Sequence, residues 1–268
     1  MKISNVQLIY FSPTGGTKKL AQRFASLVAG KLDVPVNETK LMAPADREKE
    51  YSFAQDELVI LACPTYADRV PNKIAPDLRR ILHFDGSPAV AFVSFGNRSF
   101  GTAPDELADI LRSGGAKVIG LGAFVTRHVF NDNIAKRRPD REDKQELEVF
   151  AEGIADKLRR GEAEEISWSL VGEYYKPLKE DGIPAVFLKA KPLTREEDCY
   201  HCGLCVKMCP MGSIDTDCVT VSGVCIKCQA CVRSCPTKAK YFDDADFLSH
   251  VRMLERECQE RAENKVYL

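Results

Sequence analysis

Two cysteine runs constrain this chain more than any other feature: Cys199-x2-Cys202-x2-Cys205-x3-Cys209-Pro210 and Cys225-x2-Cys228-x2-Cys231-x3-Cys235-Pro236. Three cysteines spaced three apart can converge from one tight loop. A fourth, reached through three further residues and followed by proline, leaves that loop and projects elsewhere. A region of about 50 residues built this way has little apolar core and needs a metal staple. Disulfides do not fit, because they require an oxidising compartment and would not follow a cysteine-poor half. Of the eleven cysteines, only Cys63 precedes Cys199. Paired C-x2-C motifs can also hold tetrahedral zinc, but two zinc sites would need neither a third cysteine in series nor a Cys-Pro ending. Ligation of a metal centre or cluster by these eight thiols is the expectation. Cys218 and Cys258 lie outside the pattern and read as small buried hydrophobes. His201 reads as an exposed loop histidine rather than a group that tunes the metal from behind its ligands.

The 268 residues, 44% hydrophobic and 29% charged, suffice for one large domain and one small one. A formal net charge of −1 gives no electrostatic case for nucleic acid or a membrane surface. No stretch approaches about 18 uninterrupted apolar residues, and the opening "MKISNVQLIYF" is too short and mixed for a signal peptide. A cytoplasmic location and no membrane partner are therefore expected.

The half before the cysteines alternates apolar strands with helices. Strands are expected at Val6–Phe11, 35–41, 57–66, 88–96 and in "KVIGLGAFV", with helices between them. In the last of these helices Leu147, Phe150, Ile154 and Leu158 form one stripe. Continuous apolar strands separated by helices mean a parallel sheet covered on both faces. Five of them fit a doubly wound sheet of order 2-1-3-4-5. Residues 161–193 break the alternation, yet Trp168, Tyr174, Tyr175 and Phe187 are too apolar for a free tether, so a packed connector is expected. The cysteine domain would span 194–241. A helix would close the chain over 242–268, with Phe247, Val251, Leu254 and Cys258 on one face.

Between the first strand and its helix lies an uncharged loop, Ser12-Pro13-Thr14-Gly15-Gly16-Thr17. Free N–H groups at a helix start attract anions, so this junction can hold a phosphate without any lysine. It lacks the G-x4-G-K-[ST] pattern of nucleoside triphosphate loops and the G-x-G-x-x-G of dinucleotide sites. A C-x5-R spacing, Cys63 to Arg69, matches tyrosine phosphatases, but the residues between contain no glycine and Asp68 would repel the substrate. Cys63 is expected to be buried in its strand instead.

Residues 1–160 resemble a flavodoxin, whose opening loop has the form T/S-x-T-G-x-T, matched by Ser12–Thr17. The cysteine runs resemble those of bacterial two-cluster ferredoxins. "SPTGGT", "PTYADRVP", "FGNRSFG" and the tandem cysteines together resemble the flavodoxin-ferredoxin fusion proteins called ferrodoxins. The resemblance implies an α/β flavodoxin-like domain that binds FMN and a small α+β domain holding two [4Fe-4S] clusters. One cluster would take Cys199, Cys202, Cys205 and Cys235; the other would take Cys225, Cys228, Cys231 and Cys209. It implies FMN phosphate at Ser12, Pro13, Thr14, Gly15, Gly16 and Thr17. The ring would lie between the loops Pro64, Thr65, Tyr66, Ala67, Asp68 and Phe95, Gly96, Asn97, Arg98, Phe100, Gly101, with Tyr66 and Phe100 as the stacking aromatics. Such proteins often carry glycine where this chain has Asp68; aspartate tolerates positive φ better than most residues, and its charge beside the ring would lower the flavin potential.

The implied function is electron transfer between FMN, the clusters and an external redox partner, a protein or a small molecule, in an anaerobic or low-oxygen cytoplasm. A flavin-dependent reductase of a small substrate, fed by the clusters, is a second possibility. A structural or sensory cluster protein with a non-redox α/β module is a third. The absence of an NAD fingerprint implies slow or no direct oxidation of NADH or NADPH.

Overall fold

The computed structural model describes residues 2–162 and 164–268; Met1 and Ala163, which fall within the expected first domain and the connector, lie outside the described residues. Five strands, β1 (Asn5–Tyr10), β2 (Val36–Lys40), β3 (Glu57–Pro64), β4 (Pro88–Phe95) and β5 (Lys117–Val125), pair in parallel in the order β2-β1-β3-β4-β5. This is the 2-1-3-4-5 order, and the α/β half is a flavodoxin-like doubly wound sheet.

Strand periodicity divides the core. Leu8 and Tyr10 face the layer of α1 (Gly16–Leu32) and α4 (Arg141–Arg160), where Phe24 stacks on Phe150 at 4.7 Å. Ile9 and Phe11 face the opposite layer, formed by α2 (Ala75–Ile81) and α3 (Ala103–Ser113). Burial on both faces explains why β1, β3, β4 and β5 read as apolar runs, while the edge strand β2 is polar. Helix α4 begins where the Asp140 side chain accepts a hydrogen bond from Asp143 N, and ends at Gly161 in the left-handed region. The polar stretch before Tyr51 adds one pairing too short for any periodicity to reveal, Tyr51–Phe53 parallel to Leu82–Phe84.

The connector lies against the α/β half. Trp168 packs on its core beneath the Arg112 guanidinium, Ile166 N donates to Val118 O, and Tyr175 N donates to Ala67 O. Two short helices, α5 (Leu204–Met208) and α6 (Ala230–Ser234), then carry the ends of the cysteine runs, and Leu193–Thr194 pairs antiparallel with Lys240–Tyr241.

The closing segment is not one helix. Helix α7 (Ala245–Glu257) stops, and β6 (Lys265–Tyr267) joins β5 antiparallel, making the sheet six-stranded. The reason is polar: the Asn264 side chain accepts from Val125 N and donates to Asp143 and Glu146, pinning the tail to the sheet edge. Among the described residues, no helix is long and apolar enough to cross a membrane.

Candidate functional site

The loops after β1, β3, β4 and β5 line one cavity at the carboxyl ends of the strands. In the first, Gly15 takes φ 84, Lys18 N donates to Ser12 Oγ at 3.0 Å, and Lys19 N donates to Gly15 O. The N–H groups of Thr14, Gly16 and Thr17 find no acceptor among the described residues, and the first turn of α1 holds no acidic residue. This cradle suits a dianion. Of the loop's hydroxyls, Thr14 is exposed, Ser12 already accepts from Lys18, and Thr17 is buried against Ser94 Oγ at 2.7 Å.

In the second loop Ala67 and Asp68 take φ 49 and φ 69, closed by paired backbone bonds between Tyr66 and Arg69. Thr65 Oγ1 is buried without a partner among the described residues, an orphan polar atom that a ligand's polar edge would satisfy. Asp68 pairs with Arg98, whose guanidinium lies 3.7 Å from the centre of the Tyr175 ring. The acidic charge expected beside a bound ring is therefore matched by a cation.

The third loop departs most from expectation. Phe95, Gly96 and Arg98 line the cavity, but Asn97, Phe100 and Gly101 do not, nor does Gly15 of the first loop. Phe100 packs edge-on against Phe95 at 5.3 Å, so it serves the core and not a ring sandwich. Asn97 is buried with φ 70, donating to Cys258 O and Glu260 O and accepting from Ala262 N; it anchors the tail. Gly101 lets two loops touch: with φ +51, an added Cβ would lie 2.2 Å from Asp68 Cβ.

Several lining groups were not anticipated. His128 and Phe130 follow β5, where the rule that ligands sit at strand ends applies equally and would have found them. His128 Nδ1 accepts from Phe130 N. Desolvation, with the positive charges of His250, Arg98 and Arg233, holds its pKa down at about 4, so the ring is neutral at pH 7 with its hydrogen on Nε2. Tyr175 and Phe187 from the connector, His250 from α7, and Ile226 and Lys227 from the second cysteine run complete the wall. Only the tertiary fold brings these to the site.

The eight cysteines separate into two small cavities. Cys199, Cys202, Cys205 and Cys235 line one, and Cys209, Cys225, Cys228 and Cys231 line the other. The fourth cysteine of each run thus joins the first three of the other. Among the described residues no three metal-binding side chains converge on a point as the ligands of a single ion would, and none of the cysteines is disulfide-bonded. Burial raises the Cys205 thiol to about 11 and Cys231 to about 12, and raises Cys228 further. Only a cationic centre would hold such groups as thiolates.

Charged hydrogen bonds fix the cysteine region to the sheet. The buried Arg47 donates to Pro210 O at 2.6 Å, and Arg233 donates to Val129 O at 2.8 Å and to His128 O. Tyr66 lines the strand-end cavity, and burial holds its phenol well above its usual pKa. Cys63, by contrast, is fully buried and pushed up to about 12 by burial, and Arg69 is paired with the buried Glu106 at 2.7 Å. The two cannot form a phosphatase cradle.

A 4Fe-4S binding domain family matches residues 193–215, which include the first cysteine run. No curated protein matches the chain. Among solved structures it is similar to a flavodoxin from the domain Archaea, at 19% identity over 58% of this chain and 99% of that one, TM-score 0.38. It is also similar to flavodoxin 2 from Bacillus cereus, at 20% identity over 57% of this chain and 99% of that one, TM-score 0.42. A third, rubredoxin oxygen:oxidoreductase from Desulfovibrio gigas, is 20% identical over 59% of this chain and 37% of that one, TM-score 0.42. The strand order, rather than these likenesses, carries the fold assignment.

Proposed function

Starting from a chain that joins a flavodoxin-like fold to a 4Fe-4S binding domain, we propose that this protein is an electron carrier linking FMN to two [4Fe-4S] clusters and to an external redox partner. One observation carries the reading: Ile226 and Lys227, which lie between ligand candidates Cys225 and Cys228, line the same cavity as the phosphate-type loop Ser12–Thr17. When bound, FMN would exchange electrons singly or in pairs and each cluster singly, so the combination can join a two-electron donor to one-electron acceptors.

The residues divide the work. The N–H groups of Thr14, Gly16 and Thr17 hold the phosphate; Thr65 Oγ1 gives the ring's polar edge a partner; Tyr66, Tyr175 and Phe187 exclude water from it. Neutral His128 offers a hydrogen-bond donor without adding charge. The quartet Cys209, Cys225, Cys228 and Cys231, whose cavity shares Ile226 with the strand-end cavity, would hold the inner cluster, and the quartet with Cys235 would hold the outer one. Cys202 is the exposed member of the outer quartet, so a redox partner would meet the chain at that edge.

Purification without oxygen, with the cofactors counted, tests this reading. About eight iron, about eight sulfide and one FMN per chain are expected. Stoichiometric zinc in place of iron, or protein that binds no flavin, would overturn it.

A further inference from the structure

The two cysteine runs end in matching stretches, Cys209-Pro-Met-Gly-Ser-Ile214 and Cys235-Pro-Thr-Lys-Ala-Lys240. Five residues after the fourth cysteine, the first stretch places Ile214, 4% exposed, in the wall of the inner cavity. The second places Lys240, 3% exposed, in the wall of the outer one. At this matched position the inner site carries an aliphatic side chain and the outer site an amine. Lys240 Nζ has no hydrogen-bond partner among the described residues, and a buried ammonium without a partner is costly.

On the reading that each quartet holds a [4Fe-4S] cluster, we propose that Lys240 is the counter-cation of the cluster bound by Cys199, Cys202, Cys205 and Cys235. It sets that cluster's potential above that of its neighbour, which has Ile214 in the same place. Reduction of such a cluster takes one electron from a donor and, with no proton taken up, deepens its negative charge. A fixed cation, or an N–H donated to a sulfur, favours the reduced form. Electrons then settle on the cluster nearer the exposed Cys202 and not on the one beside the flavin cavity, so a partner is served from the surface edge.

The test is an anaerobic reductive titration of the purified holoprotein with dithionite, following the two cluster signals by electron paramagnetic resonance. Lys240→Ile, which copies the inner site, should lower the more positive midpoint and bring the two together, while Lys240→Arg should leave them apart. Two unmoved midpoints in Lys240→Ile, with iron at the wild-type count, would overturn the inference while leaving the clusters in place. Wild-type protein lacking two clusters would instead remove the reading on which it rests. Should Lys240→Ile fail to load, Lys240→Gln removes the charge but keeps a donor. Loss of iron from both, with retention in Lys240→Arg, would show that the charge stabilises the outer cluster.

Discussion

The α/β half and the cysteine region are stabilised by different means. In the first, Phe11, Phe24, Phe92, Phe124 and Phe150 are fully buried among aliphatic residues on both sides of the sheet. Each such side chain contributes about 1.5–3 kcal/mol relative to exposure. In the second, the buried cluster around Ile214 consists largely of Cys205, Cys218 and Cys231. The small core of the cysteine region is thus made in large part of thiols. The strand-end cavity therefore rests on the packed sheet, with Ile226 and Lys227 of the cysteine region closing one side, while the cysteine cavities depend on what fills them.

Removal of iron should separate the halves most sharply. Anaerobic chelation is expected to abolish hydrogen-exchange protection across 194–241 while the backbone amides of β1, β3, β4 and β5 stay protected. A cysteine region that remained protected without metal would show that its own packing suffices.

Next in size is Gly101→Ala. The new methyl would collide with Asp68 at a backbone φ that favours glycine. Strain of about 1–3 kcal/mol should displace the 66–68 turn and weaken FMN binding roughly ten- to hundredfold, read by fluorescence titration of the apoprotein. Unchanged affinity would remove this turn from the flavin site.

A smaller effect is expected at the seam. Arg233→Ala removes the donors to His128 O and Val129 O and the pair with Asp132. A loss of about 1.5–3 kcal/mol in stability is expected, with cofactor counts unchanged and slower electron equilibration between flavin and clusters. Equal rates in the two proteins would show that this tether does not set their spacing.

The smallest effect concerns pH. Folded His128 titrates at about 4, against about 6.5 in the unfolded chain. Between these values the unfolded state binds the extra proton, so this group's contribution is intact above about pH 6.5 and falls away as pH drops toward 4. His128→Gln should flatten the decline in urea midpoint between pH 7 and pH 5. An unaltered decline would place its origin elsewhere.

What was legible in the sequence follows the same division. Strands buried on both faces and helices with one apolar stripe carry their period locally, so β1, β3, β4, β5 and α1 to α4 could be read directly, whereas β2 is a polar edge strand. Spacing and proline implied only that the fourth cysteine of each run leaves its loop; its exchange between quartets was what the resemblance to two-cluster ferredoxins implied. Phe100 misled, because an aromatic in a strand-end loop can turn to the core or to the ligand, and its partner Phe95 decides. The tail strand was hidden, because Asn264 finds Val125, Asp143 and Glu146 only after the sheet exists. Tyr175, Phe187 and His250 reach the cavity through tertiary packing with no local signal.

The claim that the flavin cavity and the inner quartet adjoin within one chain is tested most directly by stopped-flow spectroscopy of the anaerobic holoprotein. After rapid partial reduction, redistribution of electrons between flavin and clusters should be first order, with a rate constant independent of protein concentration. A rate rising in proportion to concentration would show that electrons pass between molecules and would contradict it.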